Sequence, residues 1–253
     1  MLFTLFYCIQ HNKQENTMAV AAPTLDALEE RLLALERRDL EVPHPVALSA
    51  NEAAQLRRSH AAVAAGGCYS ARWKWVPSSY YGYDLEKRRR TLGASTKLQL
   101  CKSMLMENKA WSGKPGEELS DRTNSRYYLI VVQYEATISV KKLMTELRAL
   151  RPAGPGGERL DASSFDFRVA SAEDNDRLTG FVHNSVTPFG LLERVPIVLA
   201  AGIAKMSPRF MWMGGGHVDL KLGMSVREFA KATGALVLDA SEPRSSSAAI
   251  EEE

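Results

Sequence analysis

The first regular pattern of apolar positions along the chain is that of a helix. Residues 24–42 carry four leucines at the alternating three- and four-residue spacing of a heptad seam, with charged residues between them: Leu25, Leu28, Leu32 and Leu35. Pro43 and Pro45 end the pattern. Because three turns are too few for a stable coiled coil alone, we expect this helix either to pack on its own domain or to dock onto a partner.

Capping residues predict the later helices. A serine followed three residues later by glutamate opens two of them, at Ser49 for a helix over 49–64 and at Ser225 for a helix to about residue 233. Glycines follow the ends of both helices. The other predicted helices are Asp84–Leu92, Ser139–Leu150 and Ser171–Leu178.

One strand is clear from its composition. Tyr127–Tyr134 is a continuous apolar run rich in β-branched residues, which predicts a strand buried on both faces. In His217–Leu222 apolar and polar residues alternate, which predicts a half-exposed strand. Other strand predictions are Lys102–Glu107, Phe165–Val169, Pro196–Leu199, Phe210–Met213 and Leu236–Leu238, with loops at 112–124 and Pro152–Ser164.

These elements alternate without strict βαβ order. We therefore expect an α/β (α+β) fold with a mixed β-sheet or partly closed barrel and surrounding helices, rather than a doubly wound nucleotide-binding fold. The predicted divisions are a disordered or misassigned start at 1–17, an N-terminal amphipathic helix at 18–45 and a helix with an aromatic linker at 46–83. The folded domain follows at 84–240, and a disordered acidic tail at 241–253.

Composition limits the setting of the protein. Its three cysteines lack CxxC spacing, which argues against a disulfide framework and a zinc site and favours the cytoplasm: Cys8, Cys68 and Cys101. The apolar run Met1–Ile9 is too short to span a membrane, so no membrane partner is expected.

The usual catalytic motifs are missing from the sequence. It contains no GxSxG, P-loop, HExxH or GxGxxG pattern. We expect no metal and no cofactor. His183 and His217 either contribute to a site or are ordinary polar residues, and Cys101, beside an apolar run, is expected to be a buried small residue rather than a nucleophile.

Positive charge is concentrated in one stretch. Residues 72–114 hold ten Lys or Arg against three acids, a local charge of +7 in a chain that totals +2. Tryptophans and tyrosines are interleaved with these charges, a combination that suits a phosphate backbone with unstacked bases. The alternative is a solvated helix face at Lys87–Arg90.

Two glycine-bearing segments are candidate binding elements. Gly180–Gly190 carries polar atoms at Asn184, Ser185 and Thr187 and is stiffened by Pro188, so it is either a binding loop or a plain helix-to-strand turn. Gly214–Gly216, expected between two strands, permits positive φ and close approach of a ligand to the backbone. A hairpin turn is the alternative explanation.

The order of these segments matches a known family. Residues of about 92–240 resemble the YbaK/ProX-type aminoacyl-tRNA editing domain, which also occurs inserted in or attached to prolyl-tRNA synthetases. The resemblance depends on Leu100–Met104, on Thr179–Phe181 followed by Thr187–Gly190, and on the glycines before His217–Leu222 with the helix after them. It covers about 150 of the 253 residues.

The resemblance implies a deacylase of mischarged tRNA. It places Lys102 near the phosphates and ribose of the tRNA acceptor end as the catalytic residue, and it implies substrate-assisted hydrolysis by a positioned water. The expected substrate-binding residues are Gly180, His183, Asn184, Ser185, Thr187, Pro188, Gly214, Gly215, Gly216 and His217. Alanine or cysteine on proline tRNA is the expected substrate.

One position departs from the family pattern. The family loop carries glycine four residues before its proline, where this chain has Asn184, whose side chain is expected to narrow the pocket or to add a hydrogen bond. Two alternatives therefore remain. The chain is a non-catalytic tRNA-binding or scaffold subunit that joins aminoacyl-tRNA synthetases through the 24–42 helix, or it is a deacylase of free small-molecule esters.

Overall fold

The computed structural model describes residues 47–153 and 158–244. The predicted helix at 24–42 and the predicted start at 1–17 lie outside these residues. The described helices are α1 (Ala50–Ala65), α2 (Leu85–Leu92), α3 (Val140–Ala149), α4 (Ala172–Thr179), α5 (Ala201–Lys205) and α6 (Val226–Thr233), with 3-10 turns at Tyr80–Gly82, Lys97–Gln99 and Ala162–Ser164. The strands are β1 (Arg72–Trp75), β2 (Cys101–Asn108), β3 (Tyr127–Gln133), β4 (Ala136–Ile138), β5 (Phe167–Val169), β6 (Ile197–Ala200), β7 (Phe210–His217), β8 (Leu220–Ser225), β9 (Leu236–Leu238) and β10 (Ser241–Pro243).

A five-stranded mixed sheet forms the centre, in the order β5-β2-β3-β6-β9. The β2 strand is antiparallel to β3 and β5, whereas β6 is parallel to β3 and β9. Every residue of β3 is buried, as the apolar run predicts. Leu129 and Val131 face one apolar cluster and Tyr128 and Ile130 face the other, because successive side chains of a strand leave on opposite faces.

Helices cover both faces of this sheet. On α3, Leu143 and Leu147 lie one turn apart and pack onto the Tyr128 and Ile130 side. On α6, Val226 and Phe229 pack onto the opposite side. The Ser225 hydroxyl accepts a hydrogen bond from the Glu228 amide, which confirms the predicted cap and sets the start of α6.

A three-stranded antiparallel sheet, in the order β1-β8-β7, lies beside the first. Its β1 strand comes from the segment predicted as a helix and aromatic linker, and the register sets Lys74 opposite Lys221 and Lys221 opposite Gly214. The mixed sheet is confirmed. The described strands form open sheets, so the partly closed barrel is not observed.

Two predictions for the end of the chain are wrong. The single half-exposed strand predicted over His217–Leu222 is not formed: His217 ends β7, the chain reverses at Val218 and Asp219, and Leu220 begins the buried central strand β8, where Lys221 is only 4% exposed. Ser241–Pro243 pairs with β4 in a two-stranded sheet, so the first residues of the predicted tail belong to the fold. Residues 245–253 lie outside the described part.

Candidate functional site

The Gly180–Gly190 segment, here called the site loop, is fixed at both ends by one arginine. Arg58 of α1 donates from Nε to the Gly190 carbonyl at 2.7 Å and from Nη2 to the Gly180 carbonyl at 3.0 Å. Its guanidinium also lies over the Phe181 ring, 5.1 Å from the centroid. One guanidinium group therefore joins the two ends of the site loop.

Within the site loop, Asn184 has a left-handed backbone with φ of 63°. Asparagine is among the non-glycine residues that adopt this conformation most readily, so it preserves the backbone that glycine would take. Ser185 turns inward and donates its hydroxyl to the Val182 carbonyl at 2.7 Å. The Thr187 side chain is fully buried, and its hydroxyl has no hydrogen-bond partner within the described part of the chain.

The site loop packs directly on β7. The Gly216 amide donates to the Ser185 carbonyl at 3.0 Å. At Gly214 a Cβ atom would lie 2.3 Å from the Val186 carbonyl oxygen, so only glycine allows this approach. The structure thus brings together the two glycine-bearing segments that the sequence singles out.

The glycines are not a hairpin turn, however. All three lie inside β7, with an irregularity in the register between Gly214 and His217, and Gly216 has φ of 96°. The chain reverses after β7, at Val218 and Asp219. The close backbone approach predicted for a ligand is made instead by the protein's own site loop.

The two histidines differ in their surroundings. His183 is exposed at the surface of the site loop. His217 is buried, accepts a hydrogen bond at Nδ1 from the Asp219 amide, and has Nε2 3.3 Å from Glu52 of α1. The Trp75 and His217 rings pack edge to face, with their centroids 5.3 Å apart. These contacts give His217 a role in joining α1, β1 and β7.

A small cavity lies between the start of β2 and β7. Cys101, Tyr134, Gly214 and Lys221 are among its lining residues, and its volume of about 10 Å³ suits one water molecule. Lys102 is partly exposed beside Cys101, but its side chain leaves β2 on the opposite face and does not line this cavity. Among the predicted site residues, all of which are described, only Gly214 lines it.

Burial favours the protonated thiol form of Cys101. Its side chain is 3% exposed, and desolvation raises the pKa of the thiol. Since the thiolate is the nucleophilic form, this environment agrees with a structural residue.

A buried cation at the site was missed by the sequence reasoning. The Nζ atom of Lys221 donates to the Tyr81 hydroxyl and to the Val218 carbonyl, both at 2.8 Å. Burial lowers the pKa of Lys221 to about 7, Asp219 raises it and Arg88 lowers it. Its burial was not expected, because the strict alternation in this segment predicts that Lys221 faces solvent.

Some cations of the basic stretch are bonded within the fold, and others are exposed to solvent. Arg88 is buried and donates to the carbonyls of Tyr81 and Tyr83, while Arg89 and Arg90 pair with Glu86. The solvated helix face expected at Lys87–Arg90 is therefore only partly present. Arg72 and Lys74 of β1 remain exposed at the edge of the small sheet.

The described residues contain no group of three or more His, Cys, Asp or Glu side chains placed to hold a metal ion. In the same part of the chain, no helix is long and apolar enough to cross a membrane.

Solved structures with a similar fold support the architecture described above. A crystal structure described as a candidate trans-editing enzyme for prolyl-tRNA synthetase matches with a TM-score of 0.55 and 21% identity, covering 78% of this chain and 99% of that one. A designed epitope-scaffold structure matches with a TM-score of 0.55 and 19% identity, covering 78% of this chain and 100% of that one. A search of curated proteins found no match.

The sequence match is specific to the second half of the domain. Residues 157–232 match the aminoacyl-tRNA editing domain family. This range contains the site loop, β7 with its glycines and β8, which together form the contacts described above. The resemblance to this editing family that the motifs predict is therefore confirmed for residues 157–232, and the fold is similar to that of the trans-editing structure.

Proposed function

We propose that the protein is a trans-acting aminoacyl-tRNA deacylase that hydrolyses the ester of a small mischarged amino acid on tRNA. Alanine or cysteine on proline tRNA is the proposed substrate, and the reaction is substrate-assisted, without a metal. The observation that carries the proposal is the site loop, packed backbone to backbone on Gly214 and Gly216 within the region that matches the editing family.

The chemistry available at this site is positioning rather than nucleophilic attack by a side chain. The Thr187 hydroxyl is buried in the site loop without a hydrogen-bond partner in the described chain, and we propose that it binds a substrate group. Preorganised donors that hold an ester and a water in place supply much of the rate of such a reaction. The free ribose hydroxyl of the substrate then assists the attack of water on the ester carbonyl.

In the proposal, the partly exposed Lys102 and the exposed Arg72 and Lys74 bind the tRNA acceptor end. Lys102 stands at the start of β2, and Arg72 and Lys74 lie on β1. Lys74 is two strands from Gly214, which corresponds to roughly 10 Å. Phosphates near the terminal nucleotide fall within such a distance, and an ammonium group suits them. Since translation supplies this substrate, a cytoplasmic location is part of the proposal.

The test is deacylation of a panel of mischarged tRNAs. Wild type is expected to hydrolyse at least one small aminoacyl ester, and Lys102→Ala to lose about 100-fold of that rate. The control is Lys114→Ala, which removes the same charge from an exposed loop position. Wild-type turnover equal to buffer on every tRNA, or an unaltered rate in Lys102→Ala, would sink the proposal.

Asn184 motivates a second candidate function, a non-catalytic tRNA-binding or scaffold subunit. In that case the chain binds tRNA without hydrolysis and joins synthetases through residues 24–42. Deleting residues 1–45 is then expected to abolish co-purification with synthetases and to leave tRNA binding intact. Partners that persist after the deletion would refute the docking role. Competition by uncharged tRNA separates both candidates from a deacylase of free esters.

A further inference from the structure

The site loop has a third attachment, at its tip. Arg58 holds its two ends, and β7 holds its middle through the Gly216 amide. At the tip, the Tyr81 hydroxyl donates to the Asn184 carbonyl at 2.8 Å. This carbonyl belongs to the residue with the left-handed backbone, so its direction depends on a conformation that few residues adopt.

Tyr81 is itself held by a buried charge. The Lys221 Nζ atom donates to the Tyr81 hydroxyl at 2.8 Å and lies 4.3 Å from the centroid of the Tyr81 ring. It also donates to the Val218 carbonyl, which fixes it to the reversal between β7 and β8. An ammonium that donates to a phenol makes that phenol a stronger donor in turn.

The backbone of Tyr81 is anchored separately. Arg88 of α2 donates to the Tyr81 carbonyl and lies 5.4 Å from the centroid of its ring. Two buried cations therefore hold one tyrosine, which reaches the site loop. Keeping two such groups out of water costs free energy unless they are well bonded.

We propose that Tyr81, held by Lys221, is a positioning residue that sets the conformation of the site loop for the deacylation reaction. This inference rests on the proposed function. The line of contacts runs from the small sheet through Lys221 and Tyr81 to Asn184 at the tip of the site loop, whereas Arg58 binds the two ends of the loop. Neither Tyr81 nor Lys221 touches the substrate in this role.

The role predicts a particular kinetic effect. Affinity for tRNA comes mainly from phosphate contacts made elsewhere, whereas the loop must be correctly placed when the ester reacts. Tyr81→Phe keeps the ring and removes only the hydroxyl. It is therefore expected to lower kcat about tenfold and to change KM by less than about twofold.

The matched control is Tyr83→Phe. Tyr83 follows the same 3-10 turn, and its hydroxyl accepts from Ser79. Among the described residues Tyr83 makes no hydrogen bond to the site loop, so the kcat of Tyr83→Phe is expected to equal that of wild type. Lys221→Met and the double variant Lys221→Met with Tyr81→Phe complete a double-mutant cycle. The decrease in kcat of the double variant is expected to be smaller than the product of the two single decreases, because both changes act through the Tyr81 hydroxyl.

Amide hydrogen exchange supplies a readout that does not depend on activity. In Tyr81→Phe, amides of the site loop and Gly216 are expected to exchange faster, while those of β3 remain as in wild type. If Tyr81→Phe matches Tyr83→Phe in both kcat and loop exchange, the positioning role is overturned. If wild type hydrolyses no tRNA, the proposed function fails, and loop exchange alone then decides whether Tyr81 holds the loop.

Discussion

The five-stranded sheet and the three-stranded sheet are stabilised by different chemistry. The central strand β3 is buried among apolar side chains on both faces. The central strand β8 of the small sheet buries Lys221, and its neighbour β7 carries glycines that admit the backbone of the site loop. The first sheet has an apolar centre and buries its charge near the end of β2, where Lys109 and Arg126 pair with Glu107. The second sheet buries a cation in its central strand, at a desolvation cost, and places polar groups near a loop.

The largest expected effect concerns the scaffold. Ile130 of β3 is fully buried, so Ile130→Ala leaves a cavity and is expected to lower the free energy of unfolding by about 2–5 kcal/mol. Denaturant titration measures this loss. Val169→Ala, on edge strand β5 at a position 62% exposed, is the control and is expected to cost less than about 0.5 kcal/mol. Equal losses in the two variants would contradict the assignment of β3 as the core.

Gly214→Ala tests the close contact in the small sheet. The added methyl group would lie 2.3 Å from the Val186 carbonyl oxygen, so the site loop must move away from β7. The deacylation rate is expected to fall about 100-fold, since a small misplacement of catalytic groups has effects of this size. Gly82→Ala is the control, because a Cβ atom there meets no other atom within 4 Å. Full activity of Gly214→Ala would show that loop placement on β7 does not matter.

Arg58→Lys tests the closure of the site loop at its base. Lysine retains the charge but cannot donate in two fixed directions to Gly180 and Gly190. Loss of one charge-assisted hydrogen bond is expected to lower kcat/KM about tenfold. The neighbouring exposed position supplies the control Arg57→Lys, for which no change is expected. A similar decrease in both variants would mean that the effect comes from α1 in general.

The last expected effect is a pH dependence of stability. Burial lowers the pKa of Lys221 to about 7 in the folded protein, whereas the unfolded chain has the usual value of 10.5. Between these pH values the unfolded state binds more protons, so the contribution of this group to stability rises with pH, by up to ~1.4 kcal/mol per pH unit. Its charged and titratable neighbours include Asp219, Arg88, Tyr80, Tyr81 and Tyr134, together with Lys74 directly opposite on β1.

Comparison of wild type with Lys221→Met isolates that contribution. From pH 7 to 9.5 the free energy of unfolding of wild type is expected to rise relative to that of the variant, because the other titrating groups are common to both. Parallel curves would show that Lys221 titrates normally and is not desolvated.

The two regions also differ in how well sequence predicts them. The β3 strand follows from its apolar run, and α6 from Ser225, Glu228 and Gly234, because these signals are local. The motif order located the site loop and the glycines. Arg58, however, meets Gly190 across 132 residues of sequence, and no local pattern indicates such a contact. The alternating pattern predicts an exposed Lys221, although this residue is buried. Alternation indicates the period of a strand but does not indicate which elements cover its polar face.

We propose that the site loop and the small sheet together form an editing site. The most direct measurement is the initial rate of deacylation of one proline tRNA charged in turn with alanine, cysteine and proline, with the full chain as enzyme. The account predicts hydrolysis of the alanine or cysteine ester at a rate well above buffer and of the correct proline ester at the buffer rate. Buffer rates for all three esters, or equal hydrolysis of the proline ester, would contradict it.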